Sequence, residues 1–300
     1  MAAYATHMEL LADGSILVLG RPSANDQDPR SAILVRLRPD GDDDLSFGDT
    51  ICAKPYPRCG FSYSPPQLMN YLMPAAVAID PTSQRIIVAG SLNEGTLHAM
   101  PILAFDADGM FDQVLYTVTF STLGFDGRHT ATDVEVSAQD GSIFLSSHVE
   151  IEGVPDSRIV AVGKLKADGT LDGGFGTGGL FVRSGYPDEE SYSPSAFLQS
   201  DGRLVLAFNN QGNDAAKIEC RAFRLDGTSG LIDATFGVGG TAPLEAVNAQ
   251  SAYCFGTNTV ANGKHVVIAG IFDPIQAEIG RTPFLFRLDR DILLRDGFGD

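Results

Sequence analysis

The feature that most constrains this chain is a short motif, a turn followed by an apolar run, that returns five times. The copies begin at Asp13, Ser83, Asp140, Asp201 and Asn262, so the repeat is about sixty residues long. Asp-Gly and Asn-Gly supply the positive φ angles of tight hairpin turns. The runs that follow them are short and rich in β-branched residues, which is strand composition. The motif therefore predicts hairpins in five equivalent repeats.

A second motif follows the first in each repeat: an apolar strand ending in a basic residue and Leu, then Asp-Gly, then Phe-Gly. It is clearest in the third and fourth repeats, around Lys164-Leu165 and Arg224-Leu225. The second repeat is degenerate, with Leu115 where Phe-Gly should stand. Each repeat predicts four antiparallel strands, and such a small sheet must stack on its neighbours to bury both faces.

Radial stacking of these sheets gives the predicted fold, an all-β propeller of five blades with four antiparallel strands each. We predict one propeller domain over residues 1–300. Its repeats span about 5–50, 74–120, 131–183, 194–243 and 254–300, with an irregular insert at 52–73. The chain ends where the fourth strand of the fifth repeat should begin. The blade that holds residues 284–288 is therefore expected to lack one strand, or to be completed by residues just before Thr6.

The combined motif, from Asp-Gly-x-Ile-Leu-Val-x-Gly to Leu-Asp-x-x-Phe-Gly-x-Gly-Gly, resembles the delta-60 repeat family of bacterial propeller repeats. The resemblance covers nearly the whole chain. That family is defined by its repeat and not by an activity, so the resemblance implies a fold and no catalytic residues.

The charge balance excludes several partners. With 21 basic and 38 acidic residues, the chain carries a formal net charge of −17, which repels nucleic acid and anionic lipid. No apolar run approaches the roughly 20 residues of a spanning helix, and no secretory signal is visible. We expect a monomer that binds no nucleic acid and does not insert into membranes. It would be cytoplasmic or exported by a signal-independent route.

The sequence gives no pattern for a metal or cofactor. No two histidines have metal-ligand spacing, and the glycine-rich segments lead into strands and not into the helix that a phosphate loop needs. Of the four cysteines, Cys52 and Cys59 are candidates for a local disulfide because they flank a short proline-containing loop. Cys220 is interpreted as a small core residue and Cys254 as a loop residue.

Variable loops on one propeller face are the expected place for a binding site, because the opposite face carries the near-identical turns of the repeat. Arg128 and His129 precede the third repeat, where His129 could act as an acid, a base or a ligand. The other candidates lie in an acidic, aromatic loop, in the insert and in the loop that precedes the fifth repeat. They are Tyr186, Asp188, Glu189 and Tyr192, then Tyr63, and then Tyr253.

Three functions fit these observations. The main expectation is a non-enzymatic binding or scaffold module that presents its variable loops to a protein or a glycan. The first alternative is an enzyme of glycoside-hydrolase or lactonase type, with carboxylates and a histidine at the channel mouth. The second is a structural repeat domain of a larger exported protein. Convergent carboxylates would favour the enzyme.

Overall fold

The computed structural model describes residues 3–22, 32–48, 61–63, 72–94, 97–154, 158–183, 190–211, 217–244, 249–260, 265–274 and 282–289. Within these ranges there are nineteen strands and one 3₁₀ turn, at Ser121–Leu123. The strands of the first two blades are β1 (Ala3–Leu10), β2 (Ile16–Pro22), β3 (Ile33–Leu37), β4 (Phe61–Tyr63), β5 (Leu72–Ile79), β6 (Ile86–Glu94), β7 (Leu97–Phe105) and β8 (Phe111–Val118). Those of the last three are β9 (His129–Val136), β10 (Ile143–Val149), β11 (Ile159–Leu165), β12 (Leu180–Val182), β13 (Glu190–Leu198), β14 (Leu204–Gln211), β15 (Ile218–Leu225), β16 (Thr241–Leu244), β17 (Ala249–Val260), β18 (His265–Pro274) and β19 (Thr282–Asp289).

These strands form five antiparallel sheets in simple meander order, and the fold is the predicted five-bladed β-propeller. The first four sheets have four strands each. In the residues that the structure describes, the fifth sheet has three, β17, β18 and β19. Residues 290–300 lie outside the described residues, so the expectation that this blade lacks a strand stays a prediction. No helix in the described ranges is long and apolar enough to cross a membrane.

Contacts between residues divide the chain into two compact units. The N-terminal unit comprises Met1–Leu145 and Leu165–Thr170, and the C-terminal unit comprises Ser146–Lys164 and Leu171–Asp300. Each has its own apolar core. In the N-terminal unit the core includes Leu17, Leu19, Phe47, Val88 and Phe105, and in the C-terminal unit it includes Val205, Ala222, Phe236, Leu244 and Ile268.

The first motif ends in a glycine, Gly20 in the first blade, because the backbone of the neighbouring strand comes too close for a side chain. The first strand of the blade bulges between Ala5 and His7, opposite Gly20. A Cβ atom on Gly20 would lie 2.8 Å from the carbonyl oxygen of Tyr4, nearer than real Cβ contacts allow. The first strand of the second blade bulges in the same place, next to Gly90. The motif thus specifies a kinked first strand as well as a turn.

The second motif builds an ion pair over an aromatic ring. The Arg36 Nε lies 2.6 Å from Asp44 Oδ2, and the Arg36 guanidinium lies 4.7 Å from the centre of the Phe47 ring. In the fourth blade Arg224, which is 1% exposed, has the same relationship to Asp233 and Phe236. Because Arg36 and Arg224 each have a carboxylate partner in their own blade, these regular residues of the repeat stabilise the fold.

The Phe-Gly step also ties a blade to the one that follows. The Gly48 N–H donates to the Asp108 carbonyl oxygen at 2.7 Å, and the Gly176 N–H donates to the Ser229 carbonyl oxygen at 2.8 Å. In the degenerate second repeat, Leu115 stands where the Phe-Gly step should be, and it contacts Gly169 of the third blade.

The structure corrects the interpretation of two cysteines. Cys220 and Cys254 form a disulfide with their Cα atoms 5.4 Å apart. Cys254 is not in a loop, because β17 starts at Ala249 and carries it alongside β15. The side chain of Asn209 reinforces this junction: it accepts from the Cys254 N–H at 2.7 Å and donates to the Cys254 carbonyl oxygen at 3.1 Å. The predicted Cys52–Cys59 bridge lies outside the described residues.

Candidate active site

The binding residues predicted from the sequence lie on different blades. Tyr63 ends β4, inside the segment predicted to be an irregular insert, and Tyr192 lies on β13. Tyr253 is half-buried on β17, and not in a loop. Arg128 is exposed just before β9. The remaining candidates, Tyr186, Asp188 and Glu189, lie outside the described residues, so the binding role of this set stays a prediction.

His129 is the first residue of β9 and is fully buried. Its Nε2 lies 2.9 Å from the Phe125 carbonyl oxygen, and its ring meets Phe120 edge to face at 5.9 Å. Burial lowers the pKa of His129, against the opposing effect of its backbone hydrogen bonds with Phe125 and His98. In this position the imidazole supports the segment that leads into β9. Its role as an acid, base or ligand stays a prediction.

Two carboxylates that the sequence analysis did not single out come into electrostatic contact in the N-terminal unit. Glu9 lies on β1, the first strand of the first blade, and Asp133 lies on β9, the first strand of the third. The strand β5 lies between them and contacts both strands. In a propeller the first strands of the blades surround the central channel. Asp133 is only 8% exposed, and its Oδ1 accepts the Val134 N–H at 2.9 Å.

The surroundings make the two carboxylates unequal. Burial raises the pKa of Glu9, and the negative charge of Asp133 raises it further. The intervening strand β5 reads Leu-Met-Pro-Ala-Ala-Val-Ala-Ile and contributes no ionisable side chain. Weak solvation and a neighbouring anion both favour the protonated form of Glu9. The arrangement therefore gives two interacting carboxyl groups of which Glu9 has the raised pKa, an inequality that acid–base catalysis uses.

One signal in the sequence could have revealed this pair. Glu9 is followed by Leu10 and Leu11, and Asp133 is followed by Val134, each within a predicted first strand. A charged residue in a strand that should be buried is unusual and merits attention. Sequence alone could not show that the two would meet, because they belong to different repeats.

A second titratable group lies in the C-terminal unit. Burial, followed by the positive charge of Arg158, lowers the pKa of His148 on β10 to about 4. The Arg158 Nε donates to Glu150 Oε1 at 3.3 Å. His148 is thus held neutral near an ion pair. Among the described residues, no group of three or more His, Cys, Asp or Glu side chains could hold a metal ion.

Comparison with known proteins shows similarity of fold and not of sequence. No family model matches the chain, so its likeness to delta-60 repeats stays a prediction, and no curated protein sequence matches it either. A solved α-L-arabinanase of Penicillium chrysogenum, complexed with arabinobiose, is similar over 92% of this chain and 79% of its own, at 10% identity and a TM-score of 0.53.

Two further solved structures are similar to the chain over nearly its whole length. A GH43 β-1,3-galactosidase with galactodeoxynojirimycin matches 95% of this chain and 91% of its own, at 9% identity and a TM-score of 0.51. A mutant α-L-arabinofuranosidase of Fusarium graminearum with an iminosugar inhibitor matches 95% and 92%, at 11% identity and a TM-score of 0.50. At such identities the likeness establishes the five-bladed fold.

This comparison corrects the main functional expectation. The propellers that resemble this chain are described as glycosidases, and this finding overturns the expectation of a non-enzymatic binding or scaffold module.

Proposed function

We propose that this protein is a glycoside hydrolase in which Glu9 is the proton donor and Asp133 the ionised partner. The observation that carries the proposal is the electrostatic interaction of these two carboxyl groups, whose strands both contact β5, with the pKa of Glu9 raised by burial and by Asp133. The descriptions of the similar propellers, an arabinanase, an arabinofuranosidase and a galactosidase, support the choice of reaction and make arabinosides and galactosides the first substrates to test.

Each carboxyl group has a distinct task in this reaction. The protonated Glu9 donates its proton to the glycosidic oxygen while the bond from that oxygen to the anomeric carbon breaks. The sugar ring develops positive charge, which the carboxylate of Asp133 stabilises. A water molecule then forms a bond from its oxygen to the anomeric carbon and gives a proton back to the carboxylate of Glu9, which completes hydrolysis and restores the acid. The apolar side chains of β5 keep the electrostatic attraction strong by limiting the access of water.

The test uses the full chain with pairs of α-L-arabinofuranosides and pairs of β-D-galactosides. In each pair one substrate has a good leaving group, 2,4-dinitrophenolate, and the other a poor one, methoxide. Because only the poor leaving group needs a proton, we expect Glu9→Gln to lower kcat/KM about 10²- to 10⁴-fold on the methyl glycoside and far less on the dinitrophenyl glycoside. Asp133→Asn should lower kcat/KM on both.

A matched control is Asp43→Asn. Asp43 is an exposed carboxylate in the turn between β3 and β4, away from the pair, and its loss should leave kcat/KM unchanged. The proposal fails if no glycoside of the set is hydrolysed, or if Glu9→Gln lowers kcat/KM equally for both leaving groups.

A further inference from the structure

A cavity of about 220 Å³ lies in the N-terminal unit, at the end of the blades that carries the Asp-Gly turns. Its apolar wall includes Leu11, Leu17 and Ile79, and its polar side chains are those of Asp13, Arg36 and Gln84. Glu9 and Asp133 do not line it. It is therefore separate from the proposed catalytic pair.

The cavity is placed where the repeat departs from its pattern. The turn between the first two strands carries Gly14, Gly141 and Gly202 in the first, third and fourth blades, each with positive φ. In the second blade, the residue with positive φ in this turn is Gln84, with φ of 60°. Among the described residues, Gln84 alone adopts such a φ without being a glycine.

That conformation costs a residue with a side chain about 1 kcal/mol or more, and glycine would avoid the cost. The backbone of Gln84 is held by its N–H, which donates to the Asp80 carbonyl oxygen at 2.8 Å. Its side-chain Nε2 donates to the Pro81 carbonyl oxygen at 3.1 Å, which orients the carboxamide. Gln84 is one of the residues that line the cavity. A strained residue with an oriented polar group at a cavity is characteristic of binding sites.

The other two polar side chains are oriented as well. Arg36 donates from Nε to Asp44 Oδ2 at 2.6 Å and from Nη1 to the Ala107 carbonyl oxygen at 2.9 Å. Asp13 accepts the Ser15 N–H at 2.9 Å through Oδ1. A guanidinium has five N–H groups, and a carboxylate or carboxamide oxygen has more than one lone pair, so each side chain retains hydrogen-bonding capacity.

We infer that this cavity is a second, non-catalytic binding site for a single saccharide ring. Fixed donors and acceptors from Arg36, Asp13 and Gln84 suit the hydroxyl groups of a sugar, and the apolar wall suits its C–H face. The volume of about 220 Å³ is below the roughly 300–1,000 Å³ of sites for drug-sized ligands, so the cavity accommodates one sugar ring. This inference does not depend on hydrolysis at Glu9.

The test measures binding of free D-galactose, L-arabinose, D-xylose and D-glucose by saturation-transfer difference NMR. It is carried out in the Glu9→Gln background, so that its result is independent of turnover. Gln84→Gly restores the residue of the other repeats and should abolish most of the saturation transfer for the sugar that binds. Its Tm should change by no more than about 2 °C, because relief of strain offsets the greater freedom of glycine in the unfolded chain.

The control is Thr82→Ala in the same turn, an exposed residue whose backbone N–H, and not its side chain, bonds Asp80. This variant should bind as the parent does. Saturation transfer that is unchanged by Gln84→Gly, or absent for all four sugars in the parent, overturns the inference. Failure to hydrolyse glycosides, with binding that still depends on Gln84, would instead refute only the proposed function.

Discussion

The ring of Phe47 in the first blade covers Gly109 in the second, so closely that a Cβ atom at Gly109 would overlap three of the ring carbons. Phe47 is fully buried. Gly109 belongs to an Asp-Gly turn with φ of 82°, a conformation that also favours glycine. Two motifs of the repeat thus meet in one contact between consecutive blades.

The first prediction separates this contact from backbone strain. Gly109→Ala and Gly41→Ala both place a Cβ on a turn glycine with positive φ, but Gly41 has open space around it. We expect Gly41→Ala to lower the free energy of unfolding by about 1 kcal/mol through strain alone. Gly109→Ala should lower it by about 2–4 kcal/mol, because the ring must also move. Urea unfolding of both variants measures the difference, and equal losses would refute the contact's role.

The second prediction concerns how the interaction of Glu9 with Asp133 affects the stability of the folded protein at different pH values. The folded state raises the pKa of Glu9, so ionisation of Glu9 costs stability as the pH rises from about 4.5 through that raised pKa. Glu9→Gln removes the cost. The variant should therefore have a higher Tm than the parent at pH 7, by on the order of 2 °C, and no advantage at pH 4. A lower Tm for the variant at pH 7 would mean that the Glu9 carboxylate is stabilised in the folded protein.

The third prediction concerns the disulfide between β15 and β17. It closes a segment whose ends are 34 residues apart in sequence, and a loop of that length corresponds to about 4 kcal/mol of stabilisation in the chain-entropy view. Cys220→Ser with Cys254→Ser should lower the free energy of unfolding by roughly this amount. The double variant of Cys52 and Cys59 to Ser is the matched comparison. If native Cys220 reacts with iodoacetamide before any reductant is added, the bond is absent.

The fourth prediction follows from the low pKa of His148. Its value of about 4 lies below the ordinary 6.5 because the protonated form is disfavoured by burial and by Arg158. Between pH 6.5 and 4 the unfolded chain binds a proton that the folded chain does not, so stability falls by up to about 3 kcal/mol as the pH drops. His148→Gln should flatten this part of the stability profile in urea titrations. An unchanged slope would show that His148 protonates equally in both states.

The repeat made the blades predictable, because the residues that recur are the ones with a structural task. Asp44 and Asp233 recur to pair with Arg36 and Arg224, and these pairings occur within one repeat. Contacts between repeats were not predictable in the same way. Neither the Cys220–Cys254 bond nor the approach of Glu9 to Asp133 leaves a periodic trace, since each partner occurs once and the two lie in different repeats.

The remaining differences between the predicted and the observed positions of residues arise from where the strands begin. His129 was expected in a loop at the channel mouth, but β9 begins at this residue and its side chain is fully buried. Tyr253 moved from a loop into β17 for the same reason. These first strands continue past their apolar residues because their backbones pair with the next strand of the blade. The β-propensity of a single segment does not predict such pairing, so the sequence could not show where these strands begin.

The contact from the Phe-Gly step to the following turn has a direction, and this gives the chain a polarity that a stack of identical sheets would lack. Phe47 reaches forward to Gly109, Leu115 to Gly169 and Phe175 to Gly230, always from an earlier blade to a later one. Such head-to-tail joints can be repeated without limit, since nothing in them records how many have come before. Duplication or loss of one repeat during evolution would therefore leave joints of this kind intact in the remaining blades. The exception is a pair of neighbours that shares a further bond, as the Cys220–Cys254 disulfide does between the fourth and fifth blades.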